Sequence, residues 1–388
     1  MNAPKFRDIR QSSFRGRRGG TEHFISVQAQ PDHDLAAQIA QVEERYAAAR
    51  AALGLAEDTA IFRRLFISDA MNQAAQVRAS ALFRSTEDNP VAVSLVQQPP
   101  QTGAKIALLA YHVTGDASLT KQRLSENHLL VEKNGRRHLW TAGLCAGQDG
   151  ADASPSLQTR ALFGDLVGAL ADAGATLRDN CVRTWIFLKD VDVFYQGMVD
   201  SRGAIFAEEG LTADTHYIAS TGIEGACAHR CDLIAMDAYS NLDLDPRQVS
   251  YLNDFTRLCP TRDYNVHFER GTRIAYADRA HHFISGTASI DTDGQVVHPG
   301  DVLRQLDYAI DNVEALLRSG AANLADLAHL IVYLRDPTDH ARVEHCLTER
   351  FPDLPAIIVQ GAVCRPQWLV EIEGIAIAAN DAPALPAF

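Results

Sequence analysis

The feature that most constrains this chain is that it repeats itself. HLWTAGLCAGQDG (138–150) stands beside HHFISGTASIDTDG (281–294), and each reads as a short apolar strand, a small residue with glycine, and a polar loop containing Asp-Gly. Such self-similarity means that one supersecondary unit is built more than once. A helix follows each copy, with apolar residues at helical spacing: Leu162, Phe163, Leu166, Val167 and Leu170 in the first, Leu303, Leu306, Ile310, Val313 and Leu317 in the second. Gly174 and Gly320 stand where helix C-caps are expected. RTWIFLKD (183–190) and HLIVYLRD (329–336) then predict strands that lead into second helices, and CDLIAMDAYS and QWLVEIEGIA close the halves as final strands.

Each half therefore reads β–α–β–α–β with further strands before it. The expected fold class is α+β: tandem domains, each a mixed β-sheet packed on two helices. A degenerate first domain is expected over 126–245 and a second, carrying the site, over 246–388. Residues 26–125 contain an amphipathic helix (AAQIAQVEERYAAARAALGLA) and strand-like VAVSLVQQ and KIALLAYHV. They are expected as an extension packed on the first domain. Residues 1–25, rich in Arg and Gly, are expected to be a disordered basic tail.

The final strand raises a specific question. In CRPQWLVEIEGIAI (364–377), Glu371 and Glu373 share one face with Leu369, Ile375 and Ile377, because strand side chains alternate. An unpaired buried carboxylate costs roughly several kcal/mol. Laying the final strands together places Ala235 opposite Glu371 and Asp237 opposite Glu373. The second acid is present in both halves, so a structural or solvated role is expected for it. Glu371 has no counterpart, which points to a working site in the second half and a decayed twin in the first.

Composition narrows the function. A net charge of -13 excludes a general nucleic-acid binder, which needs a basic surface. The chain has no run of about 18 apolar residues, so no membrane span is expected. Seven scattered cysteines without an export signal are read as reduced thiols of a cytoplasmic protein. Cys227, His229 and Cys231 (CAHRC) lack a second ligand pair at a persuasive spacing, so no metal set is expected. The adjacent His281 and His282 lie on one strand, where only one faces the core, and both are read as packing or surface residues.

SGTASIDTDG, DNVEALL, LIVYLRD and VEIEGIAI resemble the Rid (YjgF) family of small trimeric proteins, whose members hydrolyse enamines and imines. More narrowly, SGTASI (285–290), HPGD (298–301) with Gln305, and VCRPQWLVEIEG (363–374) resemble the chorismatases, two-domain relatives that remove pyruvate from chorismate. The resemblance implies Glu371 as the acid and ties Cys364 to members that make 3-hydroxybenzoate. It implies Arg273, Arg365, Arg183, Tyr264, Gly286 and Ala288 as substrate-binding residues. It further implies an anionic small-molecule substrate and no cofactor. A homotrimer is expected, unless the repeated chain supplies some of the junctions within itself. In the deaminases an arginine that grips the substrate carboxylate follows a Pro-Ala pair; here Pro355 and Ala356 are followed by Ile357. The family's R-x-W-N-Y reads Arg183-Thr184-Trp185-Ile186-Phe187 here, and His267 stands where the family has an arginine. A Rid-type deaminase and a non-catalytic ligand-binding protein are the rival readings.

Overall fold

One order of elements occurs three times in the chain. In unit 1 it is β1 (Ile9–Arg15), β2 (Thr21–Gln28), α1 (Leu35–Leu53), β3 (Ala60–Ile67), α2 (Ala70–Arg78), β4 (Ala92–Gln97) and β5 (Ile106–Thr114). Unit 2 begins with an added edge strand, β6 (Thr120–Arg123). It continues through β7 (His128–Lys133), β8 (Arg136–Cys145), α3 (Pro155–Asp172), a short α4 (Leu177–Asn180), β9 (Cys181–Leu188), α5 (Val191–Glu208), β10 (Ala219–Glu224) and β11 (Ile234–Asn241). Unit 3 likewise has an added β12 (Val249–Tyr251). After it come β13 (Gly271–Ala275), β14 (Arg279–Ala288), α6 (Val302–Ser319), β15 (Leu327–Leu334), α7 (His340–Arg350), β16 (Ala356–Gln360) and β17 (Val370–Ala379). This computed structural model describes residues 8–388 apart from 19, 32, 101–102, 116–118, 148–152 and 265, and apart from the side chains at 262 and 264.

The sheet orders are β1-β2-β5-β3-β4, β10-β9-β11-β8-β7-β6 and β12-β13-β14-β17-β15-β16, which is one topology three times over. The pairs β3/β4, β9/β10 and β15/β16 are parallel, so each needs a crossover, and α2, α5 and α7 supply it. The sequence sets these crossovers locally. FRRLFISD (62–69), RTWIFLKD and HLIVYLRD are matching octets, and the closing Asp69, Asp190 and Asp336 each accept a backbone N–H of the following helical turn.

Two expectations therefore change. Residues 26–125 are no mere extension: with β1 they complete a third unit. Within 1–25, residues 9–15 form β1 and residues from Thr21 onward enter β2, paired in register from Ile9↔Val27 to Arg15↔Thr21. Residues 1–7 lie outside the described residues. The tandem α+β arrangement holds, with one more copy than the sequence predicted.

The three units close into a ring. Gln97 N–H donates to Ala226 O (2.7 Å), Glu224 N–H to Ala362 O (3.1 Å), and Gln360 N–H to Pro99 O (2.7 Å). Every bond runs from a strand end in one unit to the residue two past the corresponding strand end in the next, as a pseudo-threefold axis requires. The inner sheet faces share one core: Tyr111 of unit 1 packs on Trp140 of unit 2 (centroids 5.6 Å apart), and Tyr239 of unit 2 stacks on Phe283 of unit 3 (5.2 Å). Junctions that a trimer of single units would form between chains are formed here within one chain. No helix among the described residues is long and apolar enough to cross a membrane.

Candidate active site

Each unit lays a short parallel edge strand against a long strand of the next, giving three junctions: β4 with β8, β10 with β14, and β16 with β2. Strand register fixes which residues correspond. Glu371 pairs with Tyr333, Ala235 with Phe187 and Ala107 with Phe66, so one carboxylate and two alanines occupy the same place. At the next inward position stand Glu373, Asp237 and Leu109. The carboxylate of Glu371 meets a cleft of about 220 Å³ at the β10/β14 junction.

Glu373 is structural. It is 1% exposed, and Arg183 donates to it (2.6 Å), as do Tyr333 (3.0 Å) and Thr221. The equivalent Asp237 accepts from Arg64 (2.7 Å) and from Gly143 N–H (2.7 Å). Both inner acids are thus buried, paired and hydrogen-bonded, as buried charges must be.

Glu371 is different. It is 6% exposed, and its carboxyl makes no hydrogen bond or ion pair among the described residues. Burial first, and then the charge of Glu373, push its carboxyl up to about 8 against the opposing pull of Arg183 and Arg270. At neutral pH it is therefore a carboxylic acid facing the cleft. Gly286 makes room for it, since a Cβ there would overlap Oε1 and lie 2.9 Å from Cδ. The β14/β17 register shifts between Ile284 and Thr287, a bulge that re-aims the backbone beside the carboxyl. Ala288 pairs directly with Glu371 and lines the cleft.

Cys364 also lines the cleft. Burial, followed by the nearby Glu371 charge, pushes its thiol up to about 12, so it is a neutral thiol rather than a thiolate. Arg365 enters the cleft with its guanidinium over Trp368 (4.8 Å) and donates to Gly294 O (2.8 Å). Gln305 secures this loop: its amide donates to Gln367 O (2.9 Å), and Oε1 accepts from Leu369 N–H (2.8 Å). Asp301 of the HPGD stretch caps α6, which carries Gln305.

Two expected arginines lie elsewhere. Arg183 stands one layer behind the cleft, held by Glu373, Thr221 and Thr184 O. Arg273 pairs across from His282, and directly paired residues share a sheet face. His282 reaches Gly320 O at the end of α6, so this is the helix-side face, away from the cleft. Its neighbour His281 faces inward to Glu22 (2.9 Å), so both histidines are buried and hydrogen-bonded. The Tyr264 side chain lies outside the described residues.

In place of Arg183 and Arg273, the cleft holds Arg202 of α5 and Arg270, which precedes β13. Both left a signal in the sequence. Arg202 falls in the helical stripe of Met198, Val199, Ile205 and Phe206, where an apolar residue would be expected. Arg270 shares strand parity with the buried Thr272 and Ile274, while Arg273 does not. Ile357 lies in β16, outside this cleft; its counterpart in β10 is Thr221, which lines the cleft and is no arginine either.

Residues 273–378 match the family model described as Endoribonuclease L-PSP. A RutC family protein of Pyrococcus abyssi is 31% identical over 96 residues, which are 24% of this chain and 76% of that protein. The chain belongs to the RutC (Rid) family. A 3-hydroxybenzoate synthase of Streptomyces hygroscopicus is 28% identical over 256 residues, covering 60% of this chain and 72% of that protein. A crystal structure of chorismatase matches with a TM-score of 0.62 at 18% identity, over 92% of this chain and 98% of that one. At that coverage the shared fold includes the first unit. Within the RutC family, the chain is a multi-unit relative of the chorismatase type.

Proposed function

We propose that this chain removes pyruvate from chorismate, or from a closely related enol ether, with Glu371 as general acid and 3-hydroxybenzoate as product. The observation that carries the reading is a carboxyl held neutral up to about pH 8 in one cleft with Arg202, Arg270 and Arg365. A dianionic substrate needs cationic partners, and guanidinium suits carboxylates best. The relatives named 3-hydroxybenzoate synthase and chorismatase support the substrate class.

In this mechanism the Glu371 proton passes to the methylene carbon of the enolpyruvyl group, leaving an oxocarbenium ion. The carboxylate left behind faces that cation from a buried position, where the attraction is strong. Addition of an oxygen nucleophile at the cationic carbon then frees pyruvate. On the route to 3-hydroxybenzoate the ring's neighbouring hydroxyl, oriented by the neutral Cys364 thiol, adds in place of water. Its own bond to the ring then breaks, so that its oxygen leaves as the carbonyl oxygen of pyruvate. The former enol-ether oxygen parts from the pyruvyl carbon and stays on the ring as the phenol, and the adjacent ring C–H loses its proton to make the ring aromatic. No organic cofactor takes part in these steps.

The test is purified protein with chorismate, following pyruvate and resolving the ring products, with Glu371→Gln alongside. Pyruvate release lost in the variant is expected, with kcat falling above an apparent pKa near 8 as the acid loses its proton. A 3-hydroxybenzoate peak that gives way to a non-aromatic diol in Cys364→Ala would support the thiol's role. Pyruvate no faster than the uncatalysed rate would refute the proposal, and ammonia release from imino acids would then favour a deaminase.

A further inference from the structure

The β4/β8 junction is the pseudo-symmetric twin of the β10/β14 cleft, and its chemistry has been replaced. Ala235 stands where Glu371 stands, and it pairs with Cys145 as Glu371 pairs with Ala288. The loop 225–233 runs without a gap alongside 361–369, so Cys227 takes the place of Val363 and Asp232 that of Trp368. Three apolar positions of the working junction thus carry two thiols and a carboxylate in its twin. The donor atoms of Cys145, Cys227 and Asp232 all lie within 4.8 Å of one another.

Asp232 is the informative member. It is 1% exposed, yet among the described residues no Arg or Lys lies within ion-pair distance. Its carboxylate is oriented by Gly147 N–H on Oδ1 (2.9 Å). Oδ2 faces Cys227 Sγ at 3.5 Å and His229 Nδ1 at 3.5 Å. Elsewhere in this protein the buried carboxylates of Asp237 and Glu373 have arginine partners. A buried carboxylate without one belongs with a metal or another source of positive charge.

The geometry points to a binding site for a borderline-soft divalent cation of the zinc class, held by Cys145 Sγ, Cys227 Sγ and Asp232 Oδ2. With Zn–S near 2.3 Å and Zn–O of about 2.0–2.2 Å, a tetrahedral site has an S···O edge of about 3.5 Å, which is the Cys227–Asp232 separation. Two thiolates and a carboxylate select zinc or cobalt over magnesium or calcium, which take all-oxygen shells. His229 stands on the same carboxylate oxygen, at the open side. The spacing of CAHRC alone hides this site, because the donor completing it, Cys145, comes from another strand, and Cys231 is outside the group.

The experiment uses the full chain, reduced and stripped with a chelator, then titrated with Co2+ and separately with Zn2+ against a competing chromophoric chelator. One Co2+ per chain with a thiolate-to-cobalt charge-transfer band, displaced by Zn2+, is the expected result. Cys145→Ser and Cys227→Ser should each abolish the band, Cys346→Ser should retain it, and His229→Ala should weaken binding about 10- to 100-fold. Circular dichroism distinguishes loss of ligand from loss of fold, and the wild-type spectrum needs no variant. A stripped, reduced and folded wild type without a charge-transfer band would overturn the proposal. So would a band that survives in both cysteine variants, or a Cys145–Cys227 disulfide in the isolated protein with no metal uptake after reduction.

Discussion

Replacing Glu371 by Gln tests the buried acid without reference to any substrate. The folded chain holds the Glu371 proton up to about pH 8, against 4.5 for an unperturbed carboxyl. Between these values the folded state binds one proton that the unfolded state has released, so the protein loses stability as pH rises. This contribution is fully present below 4.5 and is gone above about 8. At about 1.36 kcal/mol per pH unit, the loss between pH 5.5 and 8.5 comes to about 3 kcal/mol. Gln has nearly the same shape and no proton to lose. All other titrating groups are common to the two chains, so the difference between their pH profiles isolates Glu371. Urea unfolding at a series of pH values, with m held common, should show the variant gaining about 3 kcal/mol on the wild type over that interval. Parallel profiles, differing by a constant to within about 0.5 kcal/mol, would refute the assignment of a raised carboxyl.

Three further expectations follow from the geometry. Arg270→Met should lower kcat/KM for a dianionic substrate by roughly 100-fold or more, mostly through KM, while Arg273→Met, on the helix-side face, should change it little; steady-state kinetics separate the two. Gly286→Ala should displace the Glu371 carboxyl and lower kcat far more than it lowers the melting temperature, measured on the same preparation. Arg64→Met should strand the buried Asp237 and cost about 3–5 kcal/mol in denaturant unfolding, and Asp237→Leu added to it should restore most of that loss.

A chain that carries its own three junctions also carries a record of divergence at them. The place of Glu371 holds Ala235 and Ala107 in the other two units, while the inner acids Glu373 and Asp237 both keep an arginine across the unit boundary. The ring needs its inner charges paired wherever they occur. The outer position is free to change, and one junction has become a cleft with an acid while another has gathered thiols.

The unit's topology was legible in the sequence because local rules set it: short, largely apolar runs in β9 and β15, helical spacing in α3 and α6, and an Asp cap after each crossover strand. Glu371 was legible for the same reason, since aligning two final strands compares residues that register holds in one place. The first unit was not recognised, although FRRLFISD carries the same octet. Phe62 and Arg64 stand there where the other octets have Arg183 and Trp185, or His329 and Ile331, because residues at the axis complement their neighbours rather than resemble their counterparts. The arginines of the cleft were a matter of parity and of partnership between units. Arg270 and Arg273 differ by three residues and so face opposite sides of a sheet, and Arg202 reaches the cleft from a helix of the preceding unit. Cys145 and Cys227 meet only because β8 and the loop before β11 lie side by side. Sequence periodicity reports which face of an element is buried; which unit's residues meet across a junction is decided by the closing of the ring, and that only the tertiary structure contains.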